Sequence, residues 1–145
     1  ANRLGLAVAV RECNRVGPGR IARRSAELAN RLRNGLRVIR GVEFRDGTGR
    51  EEEVLRSGGG PLSAIVTFEV ETARGVSADA VVEFLAARGV GASVSPSTHS
   101  FDDSLWARPK CVRLSPSYFN TEDEVDAAVR TVAEAVNEAL VPTAC

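Results

Sequence analysis

The residue best suited to chemistry in this sequence is Arg113, which lies in the short run CVRLSP at positions 111–116. A guanidinium group presents a planar set of donors that binds a carboxylate through two hydrogen bonds, and it stays charged at all working pH values. A strand would hold that group in a fixed direction. The alternative is a structural ion pair with a nearby acid such as Asp123 or Glu124. The residues alone leave both interpretations open.

Three other side chains are candidates for chemistry. His99 is the only histidine, and it is either a substrate contact or proton-transfer group, or an exposed loop residue without a role. Ser115 either lines a binding site or belongs to a turn. Lys110 is the only lysine among 19 basic residues, so a reaction that needs a Schiff-base lysine has a single candidate here.

The three cysteines, Cys13, Cys111 and Cys145, are widely spaced and show no zinc-binding pattern. We therefore expect reduced thiols in a cytoplasmic protein. Cys111 stands two residues from Arg113, so the two side chains share a face if they lie on a strand. Cys111 then either borders a site or is a buried free thiol.

Composition excludes several classes of protein. The formal net charge is zero, which gives no indication of a nucleic-acid or acidic partner. No apolar run reaches the roughly 18 residues that a membrane helix needs, and no signal peptide is visible. The arginine-rich face of residues 20–39 is interrupted by Glu27 and carries no interleaved aromatic residues. That pattern favours a solvated helix face over a nucleic-acid interface.

The elements that would position these residues follow from hydrophobic period and capping signals. The sequence predicts helices at 1–12, 20–39, 78–88 and 121 to about 140, and strands at 42–45, 63–71, 90–95 and 111–115. Gly17-Pro18-Gly19 is expected to break the first two helices apart, and Gly41 to end the second. Short strands interspersed with helices predict an α+β fold: a small, mainly antiparallel sheet with helices packed on one face.

Residues 111–126, CVRLSPSYFNTEDEVD, resemble the C-terminal signature of class V aminotransferase-like enzymes, which depend on pyridoxal 5'-phosphate (PLP). That group includes cysteine desulfurases, isopenicillin N epimerase-like enzymes and carbon–sulfur lyases. Residues 89–95 resemble the strand that precedes the signature in the epimerase-like branch. Residues 4–7 and 22–36 are similar to the interdomain helix and the first small-domain helix. The resemblance implies the end of an interdomain helix and a linker at 1–19, and the C-terminal small domain of a fold-type I PLP enzyme at 20–145.

The same resemblance implies that Arg113 binds the α-carboxylate of an amino acid or a sulfur-containing derivative. It also implies a homodimer. PLP is then held mainly by a large domain outside this chain, since Lys110 does not match the family's lysine position. The chain alone is then expected to be inactive. Residues 95–109 contain no cysteine for the mobile thiol of a desulfurase, so the epimerase-like or C–S lyase branch is favoured. The alternatives are a non-catalytic partner or binding module related to that domain, and a cysteine desulfurase.

Overall fold

The computed structural model describes residues 2–46, 63–70, 77–95 and 110–140. The elements in those ranges are α1 (Asn2–Val16), α2 (Pro18–Arg37), β1 (Val42–Phe44), β2 (Val66–Val70), α3 (Ala78–Ala87), β3 (Ser93–Ser95), β4 (Cys111–Leu114) and α4 (Glu122–Leu140). They follow the predicted order of helices and strands. The predicted loop at 46–61 and the polar segment 96–109, which contains His99, lie almost entirely outside the described residues.

The four strands form an antiparallel sheet in the order β1-β2-β4-β3. Phe44, Phe68, Val112 and Val94 stand opposite one another in one row across the sheet. Because side chains alternate between the two faces of a strand, this apolar row marks the face that meets the helices. The predicted α+β fold, with helices on one face of an antiparallel sheet, is confirmed.

The core lies between that face and the helices α2, α3 and α4. Its fully buried side chains are mostly aliphatic and come from all three helices and the two central strands: Leu28, Leu32, Leu36, Val66, Phe68, Val81, Leu85, Val112, Val132 and Val136. Burial of each such side chain stabilises the fold by roughly 1.5–3 kcal/mol. The helical spacing of Leu28, Leu32 and Leu36 is therefore what fixes α2 against the sheet.

The helices α2 and α4 approach each other closely at Gly35. A Cβ atom added to Gly35 would lie 2.7 Å from Cγ2 of Val129, closer than two carbon atoms can pack. A glycine inside a helix costs about 1 kcal/mol relative to alanine. The close contact between the two helices is the reason for that glycine.

Capping groups define the starts of α3 and α4. The Ser77 hydroxyl accepts a hydrogen bond from the Ala80 backbone N–H at 3.2 Å. At α4 the Glu124 N–H donates to Thr121 Oγ1 at 3.2 Å, and the Thr121 N–H donates to Glu124 Oε2 at 2.8 Å. These reciprocal bonds satisfy N–H groups that a helix start leaves unpaired, and they confirm the predicted capping box.

Several boundaries differ from the sequence-based expectation. Helix α1 continues to Val16, and Pro18 is the first residue of α2, so only Gly17, with φ of 95°, interrupts the two helices. Proline is accepted there because the first helical N–H needs no partner within the helix. At the other end α2 stops at Arg37, and Gly41 belongs to the turn into β1 rather than to the helix end.

The expectation of a wholly solvated arginine face on α2 is wrong at Arg33, whose exposed fraction is only 3%. Its guanidinium pairs with the buried Asp46 carboxylate at 2.8 Å and donates to the carbonyl oxygens of Ser63 and Ile65 at 2.7 and 3.1 Å. Arg33 thus ties α2 to the residues that follow β1 and precede β2. The helical spacing of apolar residues does not indicate tertiary contacts of this kind.

Helix α1 lies apart from the core. Its apolar residues Leu4, Leu6, Val8 and Val10 are 76%, 66%, 51% and 49% exposed, and its packing is on α2. An apolar surface of this kind on a helix is typical of a segment that packs against a further partner. No helix in the described ranges is both long and apolar enough to cross a membrane.

Candidate functional site

The sheet has a second face, directed away from α2, α3 and α4, which we call the open face. The residues on it alternate with the core residues and are polar or sulfur-containing: Glu43, Thr67, Glu69, Ser93, Ser95, Cys111 and Arg113. None of the described helices of the core covers this face. It is therefore the surface on which the chain presents polar chemistry from a rigid framework.

Arg113 is exposed at the centre of the open face. On one side it stands opposite Thr67 of β2, and on the other opposite Ser93 of β3. Side chains directly opposite in an antiparallel pair have Cβ atoms about 4.5–5.5 Å apart. The two immediate neighbours of the guanidinium are thus short hydroxyl residues without charge.

Within the described part of the chain, no carboxylate lies within ion-pairing distance of Arg113. Glu124, one of the two acids in the alternative interpretation, instead accepts hydrogen bonds from Thr121 and Asn120 at 2.8 and 3.1 Å. Those two bonds lower the pKa of its carboxyl group, the Thr121 backbone bond first. Asp123 does not pair with Arg113 either. The described ranges therefore contain no structural ion pair for this arginine.

An ion-paired cluster lies beside Arg113 on the open face. Arg45, directly after β1, donates from Nε to Glu69 Oε1 at 2.6 Å and from Nη2 to Glu69 Oε2 at 3.0 Å. It also reaches Glu43 at 3.0 Å. The hydrogen bond to Glu69 and the attraction of both acids raise the pKa of Arg45. Because Glu43 and Glu69 stand directly opposite each other, Arg45 removes a like-charge repulsion across the strands.

Cys111 shares the open face with Arg113, as its spacing predicts, but the thiol is buried, with 9% exposed. Its Sγ lies 3.6 Å from Glu69 Oε1. The thiol is thus in contact with the carboxylate that Arg45 holds. Cys111 is therefore both a buried thiol and a neighbour of Arg113 on the open face.

Ser115 follows β4 and is placed differently from Arg113. It lines a cavity of about 300 Å³ together with residues that follow α3, such as Gly89, and residues of α4, such as Ala128. Leu114, a core residue, lines the same cavity, and Arg113 does not. Ser115 and Arg113 therefore do not line the same cavity. His99, the third predicted site residue, lies outside the described residues.

Lys110 is exposed and pairs with Asp79 in the first turn of α3 at 2.9 Å. A lysine that forms a Schiff base is usually desolvated or placed next to another cation, so that its amine loses the proton. Lys110 has neither feature, because its side chain is exposed and its contact is the Asp79 carboxylate. The described residues of this chain thus do not fit a PLP site by themselves.

Sequence reasoning did not single out Arg45, Glu69, Thr67 or Ser93. A signal for Thr67 and Glu69 was present, because residues 63–71 alternate and Val66 and Phe68 had to face the core. The register between strands, which places Thr67 and Ser93 on either side of Arg113, has no counterpart in a single sequence.

The sequence matches no protein-family model, and a comparison with curated protein sequences gives no match. Solved structures do match. A cysteine desulfurase from Thermococcus onnurineus NA1 superposes with a TM-score of 0.70 and 23% identity, covering 92% of this chain and 30% of that one. A cystine C–S lyase gives a TM-score of 0.64 and 17% identity over 90% of this chain and 28% of its own.

An aminotransferase from Streptoalloteichus hindustanus is a further match, with a TM-score of 0.58, 17% identity, and coverage of 86% and 34% of the two chains. At these identities the likeness is one of fold. The chain spans about a third or less of the length of each of these structures. It has the fold of one part of these larger proteins.

Proposed function

We propose that this chain is the small domain of a PLP-dependent enzyme of the class V aminotransferase type, and that Arg113 binds the α-carboxylate of its substrate. The observation that carries the proposal is the exposed Arg113 guanidinium at the centre of a rigid sheet face, with no acidic partner among the described residues. The fold likeness to a cysteine desulfurase and a C–S lyase supports the enzyme class. The substrate class is an amino acid or a sulfur-containing derivative.

The role of Arg113 is to bind and orient. Its planar donor set takes both oxygens of a carboxylate, and the pairing on both sides of β4 fixes the direction in which that set points. Thr67 and Ser93 are short enough to leave room for the ligand. The site is complete only when a second surface covers the open face and excludes water, since an exposed ion pair is weak.

PLP would supply the electron sink for the reaction. Lys110 does not fit the attachment role, so we place the cofactor on a large domain or subunit outside these residues, with the open face and α1 as the contact surfaces. Residues 1–19 then form the end of the interdomain helix and a linker, and 20–145 the small domain. A cytoplasmic homodimer is the assembly that we propose for the whole enzyme.

Within this class, we favour the epimerase-like or C–S lyase branch. A desulfurase needs a mobile thiol on a loop, whereas Cys111 lies in a strand and is buried. The structural matches include both a desulfurase and a C–S lyase. Cysteine desulfurase therefore stands as the alternative to the favoured branch.

The binding role can be tested on the chain itself by following its backbone amide resonances during titration. The probes are S-methyl-L-cysteine and its decarboxylated analogue 2-(methylthio)ethylamine. We expect weak but saturable shifts around β4 with the amino acid only, and a loss of about threefold or more in affinity for Arg113→Gln, because an exposed ion pair contributes up to about 1 kcal/mol.

The matched control is Arg130→Gln, which removes an exposed arginine from α4 on the helical side. It should bind the amino acid as the unmodified chain does. Equal affinity of Arg113→Gln and the unmodified chain, or equal binding of the amine and the amino acid, would remove the carboxylate role.

A further inference from the structure

Among the described residues no acid pairs with Arg113, although one stands close to it on the same face. Glu69 is two residues along β2 from Thr67, the direct neighbour of Arg113. Diagonal neighbours on adjacent strands are about 7–8 Å apart, a distance that long side chains bridge. Glutamate and arginine are both long. An ion pair between Glu69 and Arg113 is therefore within reach of the two side chains, and the structure does not form it.

The reason lies on the other side of Glu69. Both carboxylate oxygens are held by Arg45, at 2.6 and 3.0 Å, and one of them also lies 3.6 Å from the Cys111 thiol. This arrangement is a bidentate pair of planar groups, which fixes orientation as well as distance. The Glu69 side chain is 20% exposed, so it is packed in this position rather than free in solvent.

We propose that Arg45 is a positioning residue, which holds Glu69 away from Arg113 and so keeps the Arg113 guanidinium available to a carboxylate ligand. The inference rests on the proposed role of Arg113. Without Arg45, Glu69 would lose its pairing cation, and Arg113 would be the nearest cation on the described part of the open face. The internal carboxylate would then compete with the carboxylate of the ligand.

The test uses the same titration with S-methyl-L-cysteine on three variants. Arg45→Gln should bind about threefold or more weakly, the scale expected when an exposed ion pair competes with the ligand. Arg45→Lys should bind nearly as the unmodified chain does, since it retains the cation. In the double variant Arg45→Gln/Glu69→Gln affinity should return, because the competing charge is gone.

Recovery in the double variant would also follow if Arg45 only offset the repulsion between Glu43 and Glu69. A fourth variant, Arg45→Gln/Glu43→Gln, removes that repulsion but keeps Glu69, so its affinity should stay as low as that of Arg45→Gln, and recovery there would overturn the inference. Unchanged affinity in Arg45→Gln, or a loss that persists in Arg45→Gln/Glu69→Gln, overturns the inference. Either result leaves the role of Arg113 intact as long as Arg113→Gln still weakens binding. If Arg113→Gln binds normally, the proposed function itself fails, whatever the Arg45 variants do.

Discussion

Arginine side chains of this protein have different roles according to what surrounds them. Arg33 is buried and satisfied by Asp46 and two backbone carbonyl groups. Arg45 is paired with two acids on the open face. Arg113 has no acidic partner among the described residues. The residue type alone does not distinguish a structural arginine from a ligand-binding one. The partners of its guanidinium group distinguish them.

The role of Arg33 leads to a stability prediction. Arg33→Ala should lower the free energy of unfolding by about 3–5 kcal/mol, because it removes the cation that pairs with the buried Asp46 carboxylate at 2.8 Å. Chemical denaturation followed by circular dichroism measures the change. Arg20→Ala is the matched control: it removes an exposed arginine from the same helix and should change stability by less than about 0.5 kcal/mol. Equal losses in the two variants would contradict this account of Arg33.

At the same scale, the sequence predicted Arg113 as the principal candidate and Cys111 as its neighbour on one face. Both placements follow from the strand period, and the structure has them. Arg33 was misread because burial of a charge depends on carbonyl groups of residues 63 and 65, which are distant in sequence. His99 lies outside the described residues, so its role stays a prediction.

At the scale of elements, the sequence was most informative where a local rule operates. The capping box at Thr121 and the apolar spacing in α2 and α4 predicted both helices. Strand lengths were overestimated at β2 and β3, which begin at Val66 and Ser93. Strand propensity extends over more residues than form hydrogen bonds with the neighbouring strand. Pairing ends where register and twist carry the two strands apart.

The contact between α2 and α4 at Gly35 yields a second prediction. Gly35→Ala should destabilise the fold by about 1 kcal/mol: overpacking costs roughly 1–3 kcal/mol, and the better helix propensity of alanine offsets part of it. The added methyl group meets the side chain of Val129. Gly35→Ala should therefore cost less stability when it is added to Val129→Ala than when it is added to the unmodified chain.

The control for that prediction is Gly19→Ala, a helical glycine of α2 with no atom near the added methyl group. It should leave the midpoint of thermal unfolding unchanged or raise it slightly. A Gly35→Ala variant at least as stable as the unmodified chain would show that the helices are not in close contact at this point.

Ion pairs between the same two helices make stability depend on pH. The hydrogen bond from Arg24 lowers the pKa of Glu122 from its ordinary value of 4.5 to about 2. The pKa is depressed on folding, so this pair stabilises the fold above about pH 4.5, and its contribution is lost as the pH falls towards about 2.

Urea denaturation between pH 6 and pH 2 checks this dependence. We expect the stability of Arg24→Gln to fall less steeply over that range than the stability of the unmodified chain. Part of the slope should remain, because the pKa of Asp126 is lowered by its own hydrogen bond with Arg31. Identical slopes in the two proteins would exclude the Arg24 pair as a source of the pH dependence.

For the whole molecule, two surfaces lack a covering layer within the described residues: the open face of the sheet and the apolar residues of α1. The matched structures are about three times as long as this chain or more, which is consistent with a domain that packs against further protein. The fold was predictable from the order of elements, whereas the hydrophobic period of one sequence carries no information on what covers these two surfaces.

The isolated chain should not bind the cofactor through Lys110. PLP added to the isolated chain should give no absorbance band of bound cofactor that depends on Lys110, because Lys110 is exposed and paired with Asp79. The spectra of the unmodified chain and Lys110→Ala should therefore be the same. A band that disappears in Lys110→Ala would place the attachment site in this chain and would contradict the assignment of the cofactor to a separate domain. Absence of the band is also expected of a non-catalytic binding module.

The most direct test of the central claim observes the Arg113 guanidinium itself. In a chain labelled with ¹⁵N-arginine, the Nε resonance assigned through Arg113→Gln is followed while S-methyl-L-cysteine is added. We predict a saturable shift of that resonance, absent with 2-(methylthio)ethylamine, while the resonance of the buried Arg33 stays in place. A resonance of Arg113 that does not move while the amino acid binds elsewhere, or that moves equally with the amine, would contradict the account.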